Sequence, residues 1–232
     1  MKRITNWRNA TVADIEADGL LDDATKIHVL GFDLQDSVTG SIQGDNKKRL
    51  IDFFNHHMNN NIPIVMHNGI AYDAPLAEEI LGIDLSRLMV IDSLSISWYL
   101  NTDRQRHGLD SFFEDYGVAK VKVENDNWKG LTDEELEIIT KKKEGWKELK
   151  VQKEEHEELM LNRVTDDVKI NKAMWEDFKE RLLDLYSRVK VAVDAGLADG
   201  TRVHSGELCY IDQYKWSSSE DDYIDRILTF LM

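Results

Sequence analysis

Three β-strand signatures follow one another in the first 44 residues, and they commit the chain to a sheet. N-A-T-V-A-D-I-E, K-I-H-V-L-G-F-D-L and S-V-T-G-S-I-Q are strand-like segments separated by Gly and Asp turn signals. The stretch from about Ala10 to Gly44 therefore reads as an antiparallel meander.

The period then changes. Between Asp45 and Asn59, apolar residues at Leu50, Ile51, Phe53, Phe54 and Met58 follow a helical spacing, closed by Asn59-Asn60-Asn61 before Pro63. Ile62 to Met66 reads as a short buried strand, Ala71 to Leu81 as a helix and Leu88 to Ile91 as a further strand. Helices are expected over Asp92–Leu100 and Gly108–Tyr116, the latter beginning at His107. From Thr132 to Val189 the pattern is helical and heavily charged, opened by the capping-box pair Thr132 and Glu135. Its lysine-rich run reads as a solvated helix face. Beyond Lys190 the chain reads as loop, then as a helix from Glu220 to Met232 that lacks a stop signal, as if it docked on a partner or led into a further domain.

A chain of 232 residues suffices for one domain with an insertion. With 31% charged residues and a mean hydropathy of −0.46, no membrane-spanning stretch is expected. The N-terminus lacks a secretory signal and the single Cys209 fits a reducing cytoplasm, where it is expected to be a buried small side chain. The net charge of −15 argues against a broad basic surface for nucleic acid. An acidic cleft that binds metal ions is the exception, because the ions bring positive charge to a phosphate.

Four acids are candidates for such a cleft. Asp14 and Glu16 lie two apart on a strand, so both carboxylates project from one face. Asp73 falls in the first turn of the helix that follows Asn68-Gly69, at the carboxyl end of a buried strand. Asp167 lies on a helix whose Val164, Val168, Ile170 and Met174 face the core, leaving Asp166 to solvent or a supporting partner. Each has an ordinary alternative: an exposed acidic strand face, a carboxylate favouring a helix dipole, a polar helix face.

In order and spacing, however, these words resemble the three exonuclease motifs of the DEDD superfamily of 3′-to-5′ exonucleases. D-I-E-A-D-G-L-L-D-D-A-T-K-I-H, I-V-M-H-N-G-I-A-Y-D-A-P-L, V-I-D-S-L and D-V-K-I-N-K-A-M are similar to the proofreading domain of family A DNA polymerases from short-tailed phages. The resemblance runs from about Thr11 to Val189, with a diverged insertion around 118–158. It implies an α/β, ribonuclease H-like fold: a five-stranded mixed sheet flanked by helices, here with a charged helical insertion. Residues 1–190 would form the exonuclease domain and 191–232 a docking segment or the start of a polymerase domain.

The resemblance also implies two divalent ions, Mg²⁺ or Mn²⁺, ~4 Å apart, one activating a water and the other stabilising the leaving 3′ oxygen. Asp14, Glu16 and Asp167 would bind the first, Asp14 would bridge to the second, and Asp73 would support the second. The backbone at Ala17 and the side chain of Leu20 or Leu21 would grip the 3′ nucleotide of single-stranded DNA or a frayed end. Asn68 and Tyr72 would shape the pocket, with His107 nearby. One departure stands out: where the family carries a water-orienting tyrosine or histidine, this chain has Arg163 and Asn162. Arginine stays protonated and cannot act as a base, though it can bind phosphate or shield crowded carboxylates. RNA or oligonucleotide substrates, or a DNA-end-binding accessory subunit with weakened chemistry, are the alternatives left open.

Overall fold

The computed structural model describes residues 3–34, 38–118, 123, 128–195 and 219–232; Cys209 and most of the loop expected after Lys190 lie outside them. β1 (Thr11–Ala17), β2 (Ile27–Leu34) and β3 (Val38–Gln43) form the meander, with Ile15 opposite Leu30 and Leu30 opposite Ile42. α1 (Lys47–Asn60), capped by the Asn46 side chain on Arg49 N and ended by Asn61 at φ 51°, returns the chain to β4 (Ile64–Met66), parallel to β1. α2 (Asp73–Leu81) leads in turn to β5 (Val90–Asp92), parallel to β4. The order β3-β2-β1-β4-β5 is the expected five-stranded mixed sheet, flanked by helices.

β1 is the central strand, and all seven of its residues are buried. Its alternation divides the core. Ala13, Ile15 and Ala17 pack with Leu50 and Phe54 of α1 and Leu76 of α2, whereas Val12 packs with Val168, Ile170 and Met174 on the opposite face. That second face is covered by α6 (Trp146–Asp194), a helix of 49 residues whose Trp175 meets Trp7 edge-on at 6.3 Å. α7 (Glu220–Leu231) adds Tyr223, Ile224, Ile227 and Leu228 to the same cluster. Arg8 Nε reaches Asp221 at 2.8 Å and Arg3 pairs with Asp222, but exposed pairs of this kind add little beside the apolar face.

Three expectations need correction. The helix expected from Thr132 to Val189 is two helices, α5 (Asp133–Thr140) and α6. Between them the chain turns through Lys142 at φ 49° and Gly145 at φ 80°, left-handed conformations that no continuous helix accommodates. α6 also runs past Lys190 to Asp194. Finally, the stretch after α3 (Ser93–Leu100) is a 3-10 turn at Leu109–Phe112 and the short α4 (Phe113–Tyr116), stopped by Gly117 at φ 70°. The capping box is present: Thr132 Oγ1 accepts from Glu135 N, and the Glu135 carboxylate accepts from Thr132 N at 2.8 Å. The lysine run pairs locally, as Lys141 and Lys143 with Glu137 and Lys150 with Glu154. Among the described residues, no helix is long and apolar enough to cross a membrane.

Candidate metal centre

The pleat of β1 sends Asp14 and Glu16 to the face that α6 covers, and α6 brings Asp167 to the same place. One ligand oxygen from each of the three lies within 4.8 Å of the others, and all three residues are buried. Asp166, next in sequence, points away and pairs with Lys169 at 3.6 Å.

The close approach of α6 depends on a missing side chain. Gly31 of β2 lies opposite Asp14, and a Cβ there would stand 2.9 Å and 3.0 Å from the two γ-carbons of Val164. A lone glycine inside a strand can mark a close approach, but nothing in the sequence says which segment approaches it. Gly31→Val is expected to lift the helix, costing about 1–3 kcal/mol of stability. It would also displace Asp167, so that thermal melts and Mn²⁺ titration both register the loss.

Asp73 reaches the site by another route. β4 pairs with β1 at Thr11 and Val12, so among the described residues no strand lies beside that side of β1 beyond Val12. There the Asp73 carboxylate, at the start of α2, takes a strand's place and accepts from Ile15 N at 3.0 Å. It is almost fully buried. Burial pushes its pKa up to about 7, with the charges of Asp92 and Asp167 adding to the rise and the Ile15 N–H opposing it.

The turn before α2 is held by a residue whose role motif reasoning does not assign. The Asp92 carboxylate caps α3 at Leu94 N (2.9 Å) and accepts from Asn68 N (3.0 Å) and Ile70 N (3.2 Å). Beside it, Ser93 Oγ donates to Asn171 Oδ1 at 2.6 Å and lies 3.0 Å from His67 Nδ1. Asn171, one turn beyond Asp167, thereby ties α6 to the end of β5. The sequence signal was an aspartate immediately before a helix.

A cavity of about 390 Å³ opens over the carboxylates. Ala17, Leu20, Tyr72 and Arg163 line it, as do Gly19, His67, Leu109 and Trp128. Leu20 is 76% exposed, so it is a lip and not core. Tyr72 Oη donates to Gly19 O at 2.7 Å, and burial, then the charges of Asp73 and Glu16, push its pKa up to about 12. Leu21, Asn68 and His107 do not line this cavity. Leu21 is half-buried against the α1 and α2 side of the core, and Asn68 is exposed. His107 is buried beneath Trp98, its ring stacked at 3.8 Å and its Nδ1 2.7 Å from Ser97 Oγ.

Arg163 Nε lies 2.9 Å from Glu16 Oε1, within ion-pair reach. Its guanidinium carbon sits 4.3 Å over the Trp128 ring. Trp128 is held in turn through its carbonyl, which accepts from His28 Nε2 at 2.6 Å. Burial pushes the His28 pKa down to about 4, so the ring is neutral near pH 7.

No protein-family model and no curated protein sequence matches the chain. Solved structures similar to it include NrnC of Brucella melitensis, at 19% identity over 79% of this chain and 90% of that one, with a TM-score of 0.42. NrnC has also been solved bound to pGG and with bound Mg²⁺. The family B DNA polymerase of Pyrobaculum calidifontis is similar at 15% identity over 77% of this chain, with a TM-score of 0.47. The chain spans 25% of that polymerase. A structure described as the apo form of a nuclease is similar at 18% identity over 76% of this chain and 86% of that one, with a TM-score of 0.41.

Proposed function

We propose that this chain is a two-metal-dependent 3′-to-5′ exonuclease that removes nucleotides from single-stranded or frayed DNA ends, the substrate of a proofreading nuclease. The observation that carries the reading is the convergence of Asp14 and Glu16 from β1 with Asp167 from α6 in one buried cluster, with Asp73 held beside β1. The donor set fits hard divalent cations. It offers carboxylate oxygens alone, which suit Mg²⁺ or Mn²⁺ over zinc, and it gathers buried like charges that an ion would relieve.

Asp14, Glu16 and Asp167 would hold one ion, and Asp14 with Asp73 a second. Bound there, the ions supply a water acidified toward neutral pH and a counter-charge for the leaving 3′ oxygen. The chain's own residues arrange the strand. The exposed Leu20 offers an apolar surface to the terminal base, the Ala17 backbone borders the same cavity, and Tyr72, anchored on Gly19, forms its wall. The cavity size suits a small ligand or a single terminal nucleotide. With a net charge of −15, a broad basic track for the rest of the strand is not expected. On this reading α7 belongs to the nuclease unit, because its Tyr223, Ile224, Ile227 and Leu228 are buried in that unit's own core.

Matched 5′-labelled DNA and RNA oligonucleotides, incubated with Mg²⁺ or Mn²⁺, provide the test. A ladder shortening from the 3′ end, faster on DNA and stopped by chelator, is the expected result. No metal-dependent shortening of either strand sinks the enzyme reading, and faster cutting of RNA would move the substrate to oligoribonucleotides.

A further inference from the structure

Arg163 occupies the place of a counter-ion. Its side chain is 14% exposed and that of Glu16 7%, so the pair is largely withdrawn from water. Among the described residues lining the cavity, it is the one lysine or arginine facing three clustered carboxylates. A guanidinium does not lose its proton, so this charge is permanent.

An ion bound by Glu16 would compete for the same carboxylate and set a dication against the guanidinium. The two cations therefore disfavour each other at Glu16. The Trp128 ring gives the guanidinium somewhere to go. It lies against the guanidinium within the same cavity wall, and His28 fixes its backbone from β2. A guanidinium that pivots across this face leaves Glu16 while keeping its aromatic contact. Its N–H groups then point to the cavity, in a geometry that matches two phosphate oxygens.

We propose that Arg163 is a metal-displaced latch: it neutralises Glu16 in the metal-free protein, and on ion arrival it moves along Trp128 to take a phosphate of the bound strand. The inference rests on the metal reading of the cluster and adds a regulation of it. The latch weakens metal binding in the absence of nucleic acid and strengthens strand binding once metal is present, so the two ligands bind cooperatively.

Mn²⁺ binding to the full chain without nucleic acid, followed by the electron paramagnetic resonance of free Mn²⁺, tests this apart from activity. Arg163→Met is expected to bind Mn²⁺ on the order of ten-fold tighter than the unaltered protein, and to raise the KM for a single-stranded oligonucleotide by a similar factor. Arg163→Lys, which keeps the charge without the planar fork, is expected to fall between them. Mg²⁺ is also expected to change tryptophan emission, and the change should vanish in Trp128→Phe. Equal or weaker Mn²⁺ affinity in Arg163→Met, or an emission change that persists without Trp128, overturns the latch and leaves the nuclease reading standing. Failure of the unaltered protein to bind Mn²⁺ at all overturns both.

Discussion

Asp14→Ala is expected to lower metal-dependent turnover by on the order of 10³-fold or more, equivalent to about 4 kcal/mol of barrier. Asp14 sits on the central strand, shares the cluster with Glu16 and Asp167, and is the carboxylate assigned to both ions. The methyl group leaves neither ion with its shared ligand, and no neighbouring carboxylate can shift into a position fixed by the β1 pleat. Single-turnover cleavage of a 3′-terminal nucleotide measures the loss. Asp166→Ala is the control: that residue neighbours Asp167 but pairs with Lys169 outside the cluster, so its turnover should stay within about two-fold. Equal rates in Asp14→Ala and the unaltered protein would show that the carboxylates are not the working site.

The second large effect is a gain in stability. In chelator, Asp73→Asn should melt higher than the unaltered protein at and above pH 7. The folded carboxyl holds its proton up to about 7, against 3.8 for an ordinary aspartate. The unfolded chain therefore releases this proton first as the pH rises, and native stability falls across the window from about 4 to 7. Every ten-fold difference in proton affinity between the folded and unfolded chain is worth about 1.4 kcal/mol, so removing the ionisable group gains up to about 4 kcal/mol at the plateau. At about 2–4 °C per kcal/mol for a chain of this size, that corresponds to up to roughly 8–16 °C in Tm. Below about pH 4 both forms are neutral and the advantage should disappear. Asparagine keeps an oxygen for the Ile15 N–H, so the backbone contact survives. Adding Mn²⁺ should reverse the order, because the ion stabilises only a site that binds it well. Melting curves at several pH values, with and without Mn²⁺, give the answer; a gain that does not depend on pH would contradict the buried-charge account.

Both expectations involve residues that local sequence patterns place well. Strand alternation puts Asp14 and Glu16 on one face, and helical periodicity separates Asp167 from Asp166, since both patterns are set by backbone geometry within a few residues. The meander, the order of the helices and the Thr132 capping box are legible for the same reason. What is not legible depends on contacts across long sequence distances. Asp92 grips the turn at Asn68 from β5, and Gly31 admits Val164 from a helix more than a hundred residues away. The break at Lys142 and Gly145 escaped because the charge pattern on either side continues as though one helix ran through. Trp128 reaches the cavity from the diverged insertion, where no motif marks it.

The 49-residue helix α6 has a mechanical consequence. At about 1.5 Å per residue it is a shaft roughly 70 Å long, and one uninterrupted hydrogen-bond ladder joins its solvent-facing beginning to the turn that bears Asp167. Trp146 and Asp167 are 21 residues apart on it, about 30 Å along the axis, so one element positions both.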